Sequence, residues 1–367
     1  MSIPDFHVAP VASGCDLAYI DSWHSRPASE LPSSYTTLIG IHGVGFNSAV
    51  WTPLLPSLPT SVRFLAYNQR SYAQSSPAFK ATEVGGVNAT AQYLCDLLNF
   101  VQWAINNLNL PALDEQSQEG GIVLMGWSKG TVPLISLLSL LHLSAAPSPT
   151  SFLAHLPPSG LPHASLLKTH LRSILLFEAP GSAFGRPPTA DYTNAMVSVS
   201  APNTSTPDEF ADAFAGWIGQ YCDPLSPSDP PAAGLPPSGL ASLSPELLSR
   251  AWEPHCVAHG FSWRLAAGAD EVQRLARAAL APPGGVAVPV GFIYGTRTNG
   301  YCLDAARVVE EWWGVSGAAA RRDEGGAEKS GSKTAVRAVE GTNHFAFVHE
   351  PEAFARAVLE LVDELSP

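Results

Sequence analysis

Cysteine gives this chain no framework. Its five cysteines, Cys15, Cys95, Cys222, Cys256 and Cys302, are scattered and odd in number, and no C-x-x-C pair occurs. That spacing excludes a clasped zinc module and argues against a disulfide scaffold, so reduced, structural thiols are expected. Positive charge is also scarce. Lys and Arg number 20 against 32 Asp and Glu, a formal net charge of −12. A nucleic-acid-binding face needs clustered cations, so that class is excluded, and no block of like charge marks an interaction tail.

Long apolar runs are missing as well. The longest, Val132 to Leu143, is broken by Pro133, Ser136, Ser139 and His142, and is too short and too polar to span a bilayer. The first residues lack the basic start and apolar core of a signal peptide, and Leu365, Ser366 and Pro367 form no targeting or lipidation signal. A soluble, cytoplasmic protein with a small-molecule substrate, and with neither membrane nor nucleic-acid partners, is the expectation. Its oligomeric state stays open.

What is present is an ordinary globular composition, 46% hydrophobic and 14% charged over 367 residues. That length can bury one large core and carry a smaller accessory domain. Apolar runs rich in β-formers alternate with helical segments. Strands are expected at Tyr35–Ile41, Val62–Tyr67, Gly121–Gly126, Leu171–Glu178, Val288–Tyr294 and Thr334–Glu340. Helices are expected over Asn88–Leu108, Val132–Leu143 and Pro351–Glu364, the last with proline at its start. The alternation predicts an α/β fold, a mostly parallel sheet covered by helices on both faces.

Two interruptions break the series. Ser144–His170 is rich in Pro, Ser and His and reads as a surface insertion. The longer one places a core in residues 1–180 and 286–367, with a mainly helical cap inserted at 181–285. The cap carries Trp217, Tyr221, Trp252, His255, His259, Phe261 and Trp263 around a Pro/Gly/Ser-rich middle, Asp223–Gly239. A third, Gly/Ala/Ser-rich piece, Gly314–Lys333, reads as a loop.

The chemistry centres on Gly126-Trp127-Ser128-Lys129-Gly130, a G-x-S-x-G turn between an apolar strand and a helix. The glycines let strand and helix approach closely around a strained serine, whose hydroxyl then projects from the sheet edge. Ser128 is the candidate nucleophile; a turn serine without chemistry is the competing reading. His42-Gly43-Val44-Gly45-Phe46 follows the Tyr35–Ile41 strand directly. Such a turn can point a backbone N–H into the site, so the Val44 and Lys129 amides are the candidate oxyanion hole. His42 itself reads as structural. His344, in Gly341-Thr342-Asn343-His344-Phe345, is the candidate base, an imidazole able to take the serine proton and return it near neutral pH. Gly43 and the cap aromatics Trp217, Tyr221 and Trp252 are candidate substrate contacts.

His42–Phe46, Tyr67-Asn68-Gln69-Arg70-Ser71, the Ser128 turn and Asn343-His344-Phe345 stand in an order that resembles the α/β-hydrolase superfamily. The resemblance covers the whole chain apart from the insertions. It implies a serine hydrolase needing no metal or organic cofactor, with Tyr67–Ser71 as scaffold. Asn68 and Ser71 replace the Asp and Gly usual in that segment. The family's usual acid is an Asp in a G-x-x-D turn, but here the turn reads Gly295-Thr296-Arg297-Thr298, and a neutral hydroxyl cannot balance an imidazolium. Asp304 is one substitute. Glu178, in Glu178-Ala179-Pro180 at the end of the strand before the cap, is favoured by resemblance. A branch of the superfamily that includes fungal lactone hydrolases acting on zearalenone supplies its acid from that strand end, in a similar E-x-P motif.

The resemblance therefore implies cleavage of a carboxylic ester or lactone, with an apolar or aromatic lactone as one substrate class. Two rivals stay open: a carbon–carbon bond hydrolase, and a non-catalytic binding protein on the same fold.

Overall fold

The computed structural model describes residues 3–366 apart from 143–162, 188–206, 222–238, 258–268 and 316–332, and positions 25, 31, 33, 78–80, 115, 283–284 and 287. Most of the expected Ser144–His170 insertion and Gly314–Lys333 loop lies outside the described residues. So do Cys222, most of the Asp223–Gly239 run, and His259, Phe261 and Trp263 of the cap.

Eight strands form one sheet: β1 (His7–Ala12), β2 (Cys15–Asp21), β3 (Thr36–Ile41), β4 (Val62–Tyr67), β5 (Ile122–Trp127), β6 (Leu171–Phe177), β7 (Val290–Gly295) and β8 (Thr334–Val339). Their order is β1-β2-β4-β3-β5-β6-β7-β8. From β4 to β8 every pairing is parallel, while β1–β2 and β2–β4 are antiparallel. The helices are α1 (Ala81–Leu108), α2 (Thr131–His142), α3 (His163–His170), α4 (Pro207–Ile218), α5 (Pro245–Ala251), α6 (Ala269–Leu280), α7 (Gly300–Trp313), α8 (Ala346–His349) and α9 (Pro351–Glu364).

The central strands β5 and β7 are apolar and buried along their whole length because helices cover both faces of the sheet there, whereas the edge strand β1 alternates exposed with buried or half-buried residues. Successive side chains alternate between the faces. Ile39, Ile41, Leu65, Leu124, Ile174, Leu176 and Phe292 join one apolar cluster with α1, α2, α6 and α7. Their neighbours Leu38, Phe64, Val123, Met125, Leu175, Phe177 and Ile293 join the other, with α9 and the 3-10 segment Ser48–Ser57. No helix among the described residues is long and apolar enough to cross a membrane.

Two features depart from the sequence expectation. The hairpin β1–β2 was not anticipated. Its edge strand β1 carries Pro10, which an edge position tolerates because the N–H is not needed in the ladder. The inserted cap was drawn to residue 285, yet α6 packs on the core helix α2. Its Leu275, Ala276, Ala279 and Leu280 are buried in the same cluster as β5 and β6, and Ser139 donates to the Leu275 carbonyl at 3.0 Å. A helix amphipathic enough to read as lid thus has its apolar stripe on the core. Among the described residues, α4, α5, a helical turn at 255–257 and the 3-10 segments Gly181–Phe184 and Gly239–Ser242 remain as the helical part of the insertion that precedes it.

Parallel order sets where chemistry can collect. β3, β5, β6, β7 and β8 are neighbours, so the loops leaving their C-terminal ends converge on one edge. Those loops hold His42–Phe46, Ser128, Glu178, Thr298 and His344.

Candidate active site

Ser128 follows the last residue of β5 and opens the turn into α2. Its φ is +55°, a left-handed conformation that costs a non-glycine residue of order 1–3 kcal/mol and lifts its side chain off the strand. The flanking glycines are sterically required. A Cβ on Gly126 would stand 2.3 Å from the Gly130 carbonyl oxygen, and one on Gly130 would stand 2.3 Å from the Ile41 carbonyl oxygen. The turn therefore lies directly against the end of β3.

That contact brings the glycine-rich turn after β3 beside the serine. A Cβ on Gly43 would meet the Ser128 Cβ at 3.0 Å. Among the described residues no hydrogen bond uses the Val44 N–H. The turn is held from behind by His42. The Gln69 amide donates to its Nε2 at 2.9 Å, which places the ring proton on Nδ1, 2.9 Å from the Gly43 carbonyl oxygen that accepts it. Burial lowers the His42 pKa to about 3, so the ring stays neutral. His42 is a strut of the turn.

The Lys129 side chain points away from the reaction edge. Its Nζ lies 4.4 Å from the centre of the Tyr93 ring and donates to the Tyr93 hydroxyl at 3.3 Å. Burial of the ammonium lowers its pKa to about 7. The Tyr67–Ser71 segment is scaffold. Asn68 accepts the Ser48 amide at 2.7 Å, and Arg70 clamps Asp96 through two bonds of 2.7 and 3.0 Å.

His344 and Glu178 meet although 166 residues separate them. His344 Nδ1 lies 2.9 Å from Glu178 Oε2, with the histidine 1% exposed and the glutamate fully buried. The opposite ring nitrogen, Nε2, is buried and makes no hydrogen bond among the described residues. Trp127, the residue before Ser128, donates its indole N–H to the His344 carbonyl at 3.0 Å, and the two rings are 5.3 Å apart. The histidine is thus tied to the serine turn by its neighbour.

Glu178 also occupies positive φ, +54°. Its carboxylate is surrounded by donors. The Gly295 amide reaches Oε1 at 2.6 Å, and the Thr298 hydroxyl reaches Oε2 at 2.5 Å. Thr298 stands where the resembling family has its Asp. The sequence reads it as a position without the family's acid; in the structure its hydroxyl is a hydrogen-bond donor to Glu178. Cys302 is a neighbour the sequence did not single out, its Sγ 3.6 Å from His344 Nδ1 and 3.5 Å from the Glu178 carbonyl oxygen.

Asp304, the other candidate acid, is not brought to His344. It sits on α7 and pairs with Arg186 at 3.0 Å. Of the cap aromatics, Trp252 lies closest to the glycine turn: it bridges to Phe46 with ring centres 4.9 Å apart and covers Gly45. Trp217 and Tyr221 are buried beside the His344 loop instead. Asn343 donates to the Gly219 carbonyl at 2.7 Å, Tyr221 packs on His349 at 5.7 Å, and Trp217 faces Tyr301 at 6.5 Å. The cysteines among the described residues, Cys15, Cys95, Cys256 and Cys302, are buried and form no disulfide with one another.

No family model matches the chain, and no curated protein matches it. Solved structures do. A bromoperoxidase from Bacillus anthracis is 12% identical with a TM-score of 0.51, over 98% of this chain and 100% of that one. A loop variant of a haloalkane dehalogenase from Bradyrhizobium elkanii is 15% identical with a TM-score of 0.53, over 98% and 97%. A thioesterase domain from the curacin biosynthetic pathway is 14% identical with a TM-score of 0.50, over 98% and 100%. The likeness extends over nearly the whole chain, and at these identities it shows the fold: this is an α/β-hydrolase fold.

Proposed function

We propose that this chain is a serine hydrolase that cleaves a carboxylic ester or lactone through an acyl-enzyme intermediate. The observation that carries the reading is the buried 2.9 Å bond between His344 Nδ1 and Glu178 Oε2, set beside a serine held at φ +55°. In this reading they supply the orienting acid, the base and the nucleophile that a triad requires.

In this reading His344 Nε2 takes the Ser128 proton as Oγ attacks the substrate carbonyl. Glu178 holds the ring tautomer and balances the imidazolium, and the Val44 and Lys129 amides receive the oxyanion. The proton passes to the leaving oxygen. Water then releases the acyl group by the reverse sequence. A serine at this turn, where haloalkane dehalogenases and epoxide hydrolases carry Asp, argues for acyl chemistry. Trp252 against the oxyanion turn supports an apolar or aromatic acyl group. The Glu178-Ala179-Pro180 motif, similar to that of zearalenone-type lactone hydrolases, makes a lactone the first substrate class to examine.

Intact mass after treatment with a small fluorophosphonate tests the reading. The expected result is one adduct on the wild-type chain, none on Ser128→Ala, and much slower labelling of Glu178→Ala. Folded wild-type protein that takes up no adduct, and turns over no member of an ester and lactone panel, would overturn it.

A further inference from the structure

The run Glu253-Pro254-His255-Cys256 follows Trp252 in the insertion. It holds an arrangement that the hydrolytic reading does not use. One carboxylate oxygen of Glu253, one ring nitrogen of His255 and Cys256 Sγ lie within 4.8 Å of one another. Glu253 Oε2 and His255 Nε2 are 3.7 Å apart. Two ligands each about 2.0–2.2 Å from a zinc ion at a tetrahedral angle are separated by roughly 3.3–3.6 Å. The pair at 3.7 Å thus stands close to the spacing a shared cation would impose, and the thiol is within reach as a third ligand.

We propose that Glu253, His255 and Cys256 form a seat for a zinc-like divalent cation, separate from the Ser128 site. One carboxylate, one imidazole and one thiol make the mixed O, N and S donor set that zinc accepts in four-coordinate sites, with solvent completing the shell. Access fits the assignment. The His255 side chain is 69% exposed and forms the outer wall, whereas Cys256 is 1% exposed and forms the floor.

The carboxylate is already oriented by hydrogen bonds from the Ala73 amide and the Asn47 side chain, as ligating carboxylates are in metal sites. Binding would replace the Cys256 S–H proton, which leaves to solvent as the thiolate–metal bond forms.

The seat also has a consequence for the neighbouring turn. The Glu253 amide donates to the Gly45 carbonyl at 2.7 Å, and the Ala73 amide donates to the Glu253 carboxylate at 2.8 and 2.9 Å. A cation held by Glu253 would fasten the insertion to the Gly45 and Ala73 loops, in exchange for the Cys256 S–H bond to the Ser71 carbonyl, which is lost with its proton.

Cobalt(II) titration of the metal-free full chain, followed by absorbance, reports thiolate ligation directly and does not depend on hydrolytic activity. The expected result is a thiolate-to-cobalt band saturating at one equivalent, displaced by zinc. The band should be absent in Cys256→Ser, present in Cys302→Ser, and should require at least tenfold more metal in His255→Ala, whose side chain is exposed enough to leave folding unaffected. No band in the folded wild-type chain, a band that survives Cys256→Ser, or wild-type affinity in His255→Ala would overturn the assignment.

Discussion

The Thr298 hydroxyl donates to Glu178 Oε2, the same oxygen that faces His344 Nδ1, at 2.5 and 2.9 Å respectively. The hydroxyl at position 298 and the carboxylate at position 178 thus belong to one arrangement. The charge sits on the end of β6, and the turn after β7 supplies hydrogen bonds to it. Thr298→Val keeps the shape and removes one bond to a charged acceptor, worth about 1.5–3 kcal/mol. We expect kcat to fall roughly ten- to a hundredfold, and Thr298→Ser to restore most of it. Steady-state kinetics on an ester substrate would check this.

Glu178→Gln preserves volume while removing the charge that holds the histidine tautomer. A loss in kcat of up to about 10⁴-fold is expected by analogy with acid-to-amide changes in triads. Asp304→Asn breaks only the 3.0 Å pair with Arg186 and should leave kcat within about twofold. Equal losses in the two variants would remove Glu178 from the role of acid.

The serine turn makes a stability prediction independent of catalysis. In Gly14→Ala the new Cβ meets nothing within 4 Å, so only the φ of +69° is penalised, at about 1–2 kcal/mol. In Gly130→Ala the Cβ would lie 2.3 Å from one backbone oxygen and 2.9 Å from another. Backbone must move there, and the cost should exceed that of Gly14→Ala by at least about 1–3 kcal/mol. Urea unfolding of the two variants side by side would show the difference.

His42 predicts an acid-sensitive fold. Its pKa drops from 6.5 in the free side chain to about 3 in the folded chain because the ring is buried. Between those values the unfolded chain binds the proton and the folded one does not. The neutral-ring contribution is therefore complete above about pH 6.5 and is lost as pH falls toward 3. The slope is at most about 1.4 kcal/mol per pH unit. Unfolding free energies at pH 5 and pH 7 should differ less in His42→Gln than in wild type; an unchanged difference would assign the acid sensitivity elsewhere.

Much of this protein is written locally. The G-x-S-x-G turn is legible because its constraints act among immediate neighbours: Gly126 must admit the Gly130 carbonyl, and an apolar strand must end where an apolar helix begins. Strands β3 to β8 are legible for a similar reason, since a strand with buried faces reads as a mostly apolar run. The β1–β2 hairpin is not legible in that way because its edge strand carries Pro10 and alternates exposed with buried or half-buried residues. The role of α6 escaped because an amphipathic stripe shows that a face is buried, and not against what.

The acid was the question sequence alone left divided between Glu178 and Asp304. No local pattern can decide it, because 166 residues separate Glu178 from His344 and the order β6-β7-β8 sets which side chains reach the ring. Tertiary structure turned Asp304 toward Arg186 and set the Thr298 hydroxyl against Glu178. Sequence by itself determined the kind of fold and the places where a nucleophile and a base could stand, since these follow from short-range sterics and periodicity. Only the packed sheet decided which carboxylate faces the histidine, because a buried charge is held where partners from several strands converge on it.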